Sequence, residues 1–244
     1  MKHILVTGAS RGIGRAIASA LAARGARIAL HFNSDRAAAE QTRRALAGTG
    51  HVLFGADLSG AGTIAPLWQQ VTAALGNIDV VVNNAGIYAE HSPLSCDFDA
   101  WSEVVHRTFA TNFFGTAQLS FLAAQAMAKR GSGRIVNISS RGAFRGEPTA
   151  PAYGASKAAV NSFSQSFAKA FAPKGVYVYV VAPGWVATER VARYVQDAVV
   201  LADQPLARVA TPEEVAQVAT FCALDAPASL TGAVLDVNGA SYLR

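Results

Sequence analysis

Tyr153 and Lys157 stand four residues apart in Pro151-Ala152-Tyr153-Gly154-Ala155-Ser156-Lys157. If the segment is helical, that spacing puts a phenol and an ammonium on one face. Ala158-Ala159-Val160 and then Phe163, Phe167 and Ala168 continue an apolar pattern that a helix accommodates. An ammonium beside a phenol favours the phenolate and draws the tyrosine down from roughly 10 toward working pH, as a general acid/base needs. An isolated Tyr-x-x-x-Lys is also an ordinary surface pair, so its meaning depends on the rest of the chain.

A second group of residues suits anion binding. The apolar run Lys2 to Thr7 predicts a buried strand that stops at Gly8, and Ile17, Leu21 and Ala22 predict a helix after it. Between them lies Thr7-Gly8-Ala9-Ser10-Arg11-Gly12-Ile13-Gly14. Strand, glycine-rich turn and helix is the context in which backbone amides and a helix N-terminus receive a pyrophosphate. The spacing is Gly-x-x-x-Gly-x-Gly rather than Gly-x-Gly-x-x-Gly, and a merely tight strand–helix turn is the competing reading.

A second strand, Arg27 to Phe32, runs into Asn33-Ser34-Asp35-Arg36. An acid at this strand end accepts from a ribose 2′-hydroxyl and repels a 2′-phosphate. Phe32 and Asn33 are not acidic, Asn33 and Ser34 can donate, and Arg11 and Arg36 are cations close in sequence, which favours NADP over NAD. Asp35 counts the other way. A third strand, Val52 to Ala56, leads to Asp57-Leu58, where the carboxylate is an acceptor for an adenine amino group or the N-cap of a helix over 63–75. A fourth, Ile78 to Val82, ends in Asn83-Asn84-Ala85-Gly86, small and amide residues that suit close approach to a ribose or form a plain turn.

The remaining chain repeats the alternation. Residues 98 to 130 predict one long amphipathic helix with Asn112 in its middle, a poor helix-interior residue that can point to solvent or bond its own backbone. Strands are expected at Arg134 to Ile138, ending in Ser139-Ser140, at Val176 to Val181, ending in Ala182-Pro183-Gly184, and at Ala233 to Val237. Residues 189 to 209 carry few strand signals and end at a helix start, Thr211-Pro212-Glu213-Glu214. The expected fold is α/β: a single doubly wound parallel sheet (Rossmann fold) of about seven strands, with helices on both faces and ligands at the strands' carboxyl ends.

Composition narrows the functional classes. Hydrophobic content of 51% supplies a sizeable core, and a mean hydropathy of +0.24 suits buried parallel strands. No apolar run approaches the roughly 18 residues of a membrane span, and the N-terminus enters a strand without a signal-peptide pattern. A soluble cytoplasmic protein is expected. The net charge of +5 is scattered, without the blocks that suit nucleic acid, and it suits an anionic cofactor or acidic partner. Cys96 and Cys222 belong to no metal-spaced cluster, so no metal is expected.

Taken together, Thr7-Gly8-x-x-x-Gly12-x-Gly14, Asn83-Asn84-Ala85-Gly86, Asn112, Ser140, Tyr153-x-x-x-Lys157 and Pro183-Gly184 resemble the short-chain dehydrogenase/reductase family over essentially the whole chain. Within it, the chain looks most like the 3-oxoacyl-acyl-carrier-protein reductases. The resemblance implies Tyr153 as the general acid, Ser140 as its partner on the carbonyl oxygen, and Lys157 as the group that tunes Tyr153 and binds the nicotinamide ribose. Asn112 would hold a water on the proton path. It implies NADPH bound by Gly8, Ser10, Arg11, Gly12, Ile13, Gly14, Asn33, Ser34, Asp57, Leu58, Asn84, Ala85, Gly86, Tyr153, Lys157, Pro183, Gly184, Val186 and Thr188. It further implies a homotetramer pairing through the 98–130 and 151–173 helices, and a substrate lid at 189–209. An acyl carrier protein would be read by Lys129, Arg130 and Lys174, which can also be plain solvated cations.

Departures from the family pattern bear on substrate. The Trp101-to-Asn112 interval looks one helical turn long, Tyr179 stands where many members have asparagine, and Asn238-Gly239-Ala240 replaces Asp-Gly-Gly. Arg141, Arg145 and Trp185 are bulky near the expected pocket. The leading expectation is an NADPH-dependent reductase of a 3-oxoacyl thioester or related ketone. The alternatives are a dehydrogenase of a sugar, polyol or steroid-like alcohol, and a nucleotide-sensing protein without turnover, which would be expected to lack Tyr153 or Lys157.

Overall fold

The computed structural model describes residues 1–60, 62–194 and 197–244. Its strands are β1 His3–Val6, β2 Arg27–Phe32, β3 Val52–Gly55, β4 Val80–Asn83, β5 Gly133–Ile138, β6 Val176–Pro183 and β7 Val234–Val237. They form one parallel sheet in the order β3-β2-β1-β4-β5-β6-β7. The order reverses between β1 and β4, where Ile4, Leu5 and Val6 pair with Val80, Val81 and Val82. A doubly wound sheet opens its ligand crevice there, beyond the carboxyl ends.

The helices are α1 Gly12–Ala23, α2 Arg36–Ala45, α3 Ile64–Leu75, α4 Phe98–Phe109, α5 Thr116–Arg130, α6 Gly142–Arg145, α7 Pro151–Phe171, α8 Ala198–Ala202 and α9 Pro212–Leu224. Strand residues alternate between the two faces, as the period of two requires. Ile4, Val6, Val80, Val82, Tyr179 and Val181 pack with α1 and α9. Leu5, Val81, Val176 and Val178 pack with α3, α5 and the end of α7. Both faces are covered, so the strands read as near-continuous apolar runs.

The expected long helix over 98–130 is interrupted. Between α4 and α5 the chain takes a π-helical turn, Ala110–Gly115, that contains Asn112. Asn112 is fully buried and bonds neither solvent nor its own turn. Its Oδ1 accepts from the Ile87 amide at 2.8 Å, and its Nδ2 donates to the Ile87 carbonyl at 3.0 Å and to Ser156 Oγ at 3.1 Å. A wider turn carries this amide onto the β4 loop and α7, in keeping with the occurrence of π-bulges at functional sites. The 189–209 stretch holds a 3-10 turn over Glu189–Tyr194 and then α8; Val195 and Gln196 lie outside the described residues.

Candidate active site

One cleft of about 560 Å³ runs along the carboxyl ends of the strands, and every cofactor-binding residue expected from the sequence lines it. The glycine turn forms its floor. Gly12 has φ of +51°, the left-handed region that glycine enters without penalty. Gly14 packs so closely that a Cβ there would lie 2.1 Å from the Gly8 carbonyl oxygen. Helix α1 begins at Arg11 with no side-chain cap and no acid in its first turn, so its terminal amides and dipole are available to an anion. These features fit a dinucleotide pyrophosphate. Thr188 overhangs the turn, with Cγ2 3.1 Å from the position a Gly12 Cβ would take.

At the β2 end, Asn33, Ser34 and Asp35 line the cleft. The Asp35 carboxylate is committed to the N-cap of α2, accepting from the Ala38 amide at 2.9 Å. Arg36 opens α2 and is not among the cleft-lining residues. Asp57 lines the cleft and is not the cap of α3, whose N-cap is Thr63; its Oδ1 instead accepts from the Ser59 amide and hydroxyl at 2.9 and 2.8 Å.

The other end brings the proton-handling residues together. Lys157 is 5% exposed, its ammonium donates to the Ile138 carbonyl at 2.8 Å, and it lies 5.9 Å from the centroid of the Tyr153 ring. Tyr88 meets the Tyr153 ring edge-on at 5.1 Å. Lys157 and Asn112 converge on Gly86, where a Cβ would lie 3.4 Å from Lys157 Nζ and 3.2 Å from Asn112 Oδ1. Ser139 and Ser140 both line the cleft, with different commitments. The Ser139 hydroxyl donates to the Lys157 carbonyl at 3.2 Å, whereas Ser140 Oγ accepts from the Gly142 amide at 3.1 Å.

Beyond Ser140 the cleft is bordered by charge. Arg141 is buried, bonds Ser241 near the C-terminus, and pairs with Asp203 at 3.2 Å. Arg145 pairs with the same carboxylate at 2.6 Å. Burial and then the neighbouring Arg145 hold the Arg141 guanidinium below its ordinary range, with Asp203 opposing.

Three groups stand elsewhere than the sequence suggested. Lys129 and Arg130 close α5, and Lys174 sits in the short turn before β6, so all three lead into the amino ends of strands. Arg130 donates to the Ile78 carbonyl, just ahead of β4, at 2.7 Å. They therefore lie at the sheet edge opposite the cleft and do not border its mouth within the chain. Tyr179 faces α9 rather than the cleft, donating to the Pro227 carbonyl at 3.2 Å. Asn83 is buried away from the cleft, donating to Ser120 and Asn137 at 2.9 and 2.8 Å.

Four residues contribute contacts that the sequence did not reveal, Thr7 among them although it opens the glycine-turn motif. Thr7 Oγ1 accepts from the Asn84 and Ala85 amides at 3.0 Å each, tying the glycine turn to the β4 loop. His31, buried on β2, accepts the Gly8 amide on Nδ1 at 3.2 Å, with Nε2 2.9 Å from the Ala56 carbonyl. Glu147 and Glu189 also line the cleft, and Glu189 pairs with Arg15. Only the two acids' positions after Ser140 and Thr188 could have drawn notice in the sequence. Among the described residues no helix is long and apolar enough to cross a membrane, and no cluster of metal-ligating side chains occurs.

Comparison with known proteins agrees with this architecture. The family model for short chain dehydrogenase matches residues 2–198. The chain is 36% identical over 244 residues to the 3-oxoacyl-[acyl-carrier-protein] reductase FabG of Escherichia coli K12, covering 99% of this chain and 98% of that one. It is 37% identical over 240 residues to the cis-4-hydroxycyclohexanecarboxylate dehydrogenase of Sinomonas cyclohexanicum, covering 96% and 94%. A solved short chain dehydrogenase/reductase family protein superposes with a TM-score of 0.86 at 36% identity, covering 98% and 96%. With its switch-point cleft, glycine turn and Tyr153–Lys157 pair, the chain belongs to the short-chain dehydrogenase/reductase family of oxidoreductases.

Proposed function

We propose that the protein is an NADPH-dependent carbonyl reductase whose substrate is a 3-oxoacyl thioester or a related ketone. The observation that carries this reading is the Lys157 ammonium, 5.9 Å from the Tyr153 ring in the cleft that also holds Ser140 and the glycine turn. When bound, the nicotinamide supplies the hydride. Ser140 Oγ hydrogen-bonds the substrate carbonyl oxygen and stabilises its developing charge. Tyr153 delivers the proton to that oxygen. Lys157 favours the phenolate left behind and holds the nicotinamide ribose, while Asn112 orients Lys157 and the water that returns the proton. The turn amides with Ser10, Arg11 and Ile13 take the pyrophosphate, and Arg11, Asn33 and Ser34 the 2′-phosphate. Asp35 competes less as an acceptor for a ribose 2′-hydroxyl, because its Oδ1 already accepts from the Ala38 amide of α2.

The relative named as a 3-oxoacyl-[acyl-carrier-protein] reductase supports the thioester, and with it an acyl carrier partner; such a carrier would meet this cleft without Lys129, Arg130 or Lys174 of the same chain. Arg141, which lines the cleft and pairs with Asp203, suits a polar substrate and favours a second reading, an NAD(P)-dependent dehydrogenase of a sugar or polyol. Residues 189–209 act as a lid. Its ends are pinned where Ala210 donates to the Trp185 carbonyl and accepts from the Ala187 amide. Phe114 in the π-helical turn and Phe121 on α5, 52% and 51% exposed, serve a homotetramer. A panel of 3-oxoacyl thioesters and ketones followed by NADPH absorbance tests the function: turnover with NADPH and none with NADH supports it, and no turnover with any carbonyl contradicts it.

A further inference from the structure

Glu147 lies in the loop between α6 and α7 and has no part in the proton chemistry above. It is half-buried and lines the cleft together with Ser140 and Tyr153. A Cβ built on Gly142 would lie 2.4 Å from its Oε1, and one on Gly154 would lie 3.6 Å from its Cγ. The side chain is thus wedged between two glycines, one two residues beyond Ser140 and the other adjacent to Tyr153. Arg145 and Arg141 attract it, yet both are paired with Asp203. Among the described residues no donor hydrogen-bonds its carboxyl oxygens. Burial outweighs the two arginines and holds the carboxyl above its ordinary range. Its oxygens still reach solvent in the cleft, so a ligand that closes over them displaces that water and must supply a donor in its place.

We propose that Glu147 is the specificity-determining residue of the substrate site, accepting a hydrogen bond from a neutral hydroxyl group carried by the ketone substrate. The surroundings narrow the ligand's chemistry. A purely apolar substituent would leave the carboxyl without a partner, an anion would be repelled by it, and an ammonium would be driven against Arg141 and Arg145. A hydroxyl satisfies the acceptor without adding charge. The substrate class is then a hydroxyketone and, in the reverse direction, the corresponding diol. This inference rests on the carbonyl-reductase reading and takes its related-ketone branch, because a 3-oxoacyl thioester carries no hydroxyl. A site built to bond a substrate hydroxyl discriminates strongly against the analogue that lacks one.

The test compares cyclohexanone with 2-, 3- and 4-hydroxycyclohexanone on wild type, Glu147→Leu and Glu147→Gln. The wild type is expected to show kcat/KM at least about tenfold higher for one hydroxylated isomer than for the parent. Glu147→Leu brings that ratio close to one, and Glu147→Gln, whose amide oxygen still accepts, restores most of it. A melting temperature for Glu147→Gln at or above that of wild type at neutral pH shows that the fold is intact and that the native carboxyl is desolvated. Equal ratios in all three proteins, or a wild-type preference for the parent ketone, overturn the role of Glu147 alone. Reduction of a 3-oxoacyl thioester with none of the four ketones turned over overturns the hydroxyketone class and leaves the reductase reading standing, whereas no turnover with any carbonyl overturns both.

Discussion

The ammonium of Lys157 sits 5.9 Å from the centroid of the Tyr153 ring and donates to the Ile138 carbonyl at 2.8 Å. The backbone of β5 therefore fixes the cation that faces the phenol. Burial of Lys157 to 5% exposure keeps that interaction in a low-dielectric setting, where a charge acts more strongly than in water.

Tyr153→Phe keeps the ring and its contact with Tyr88 and removes only the hydroxyl. Turnover is expected to fall by about 10²–10⁴-fold, while NADPH binding, followed by fluorescence titration, stays within a few-fold of wild type. Retained turnover would exclude Tyr153 as the acid.

At Gly14 the backbone leaves no room, since an added Cβ would lie 2.1 Å from the Gly8 oxygen and 2.5 Å from Asn84 Nδ2. Gly14→Ala must push the turn and the β4 loop apart, at about 1–3 kcal/mol. A lowered melting temperature together with lost NADPH binding is expected. An unaffected affinity would show that the turn does not hold the phosphates.

Arg11 lines the same cleft as Asn33 and Ser34 and is the cation proposed to meet the 2′-phosphate. Arg11→Ala is expected to weaken NADPH by about tenfold or more, the worth of one charge-assisted hydrogen bond, and NADH by much less. Equal losses, measured by calorimetry, would argue against NADP selectivity at this position.

His31 couples the glycine turn to pH. Its Nδ1 accepts the Gly8 amide, so the ring must be neutral there, and burial pushes its pKa below the ordinary 6.5, against the Ala56 carbonyl and Asp57. Between those two values the unfolded chain binds a proton that the folded chain refuses. Stability therefore declines as pH falls below about 6.5, by up to about 1.4 kcal/mol per pH unit, and levels off once the folded imidazole is protonated. Urea unfolding of wild type and His31→Asn at pH 7.5 and 5.5 isolates this slope: the variant should lose less stability on acidification, and identical losses would contradict the coupling.

The sheet, its glycine turn and the Tyr153–Lys157 face were legible because each is written in local spacing: apolar runs stopping at Gly8, a turn with three glycines, a four-residue helical step. The π-helical turn was not, because Asn112 earns its place through Ile87 and Ser156, partners distant in sequence. His31 was invisible for the same reason, since nothing near it in the chain marks its contact with Gly8, and although the position of Glu147 after Ser140 could have drawn notice, its contact with Gly142 could not. Lys129, Arg130 and Lys174 are a different case. Their position just ahead of β5 and β6 was enough to place them at the amino edge of a parallel sheet, and their charge alone suggested otherwise.

The central claim is that the Lys157 cation makes the Tyr153 hydroxyl a proton donor and acceptor near working pH. Ultraviolet difference titration of tyrosinate in wild type, Tyr153→Phe and Lys157→Met tests it most directly. One of the six tyrosines should ionise at distinctly lower pH than the others in wild type, vanish in Tyr153→Phe, and rejoin the others near roughly 10 in Lys157→Met. A wild-type curve without an early-titrating tyrosine, or one that Lys157→Met leaves unchanged, would contradict the account.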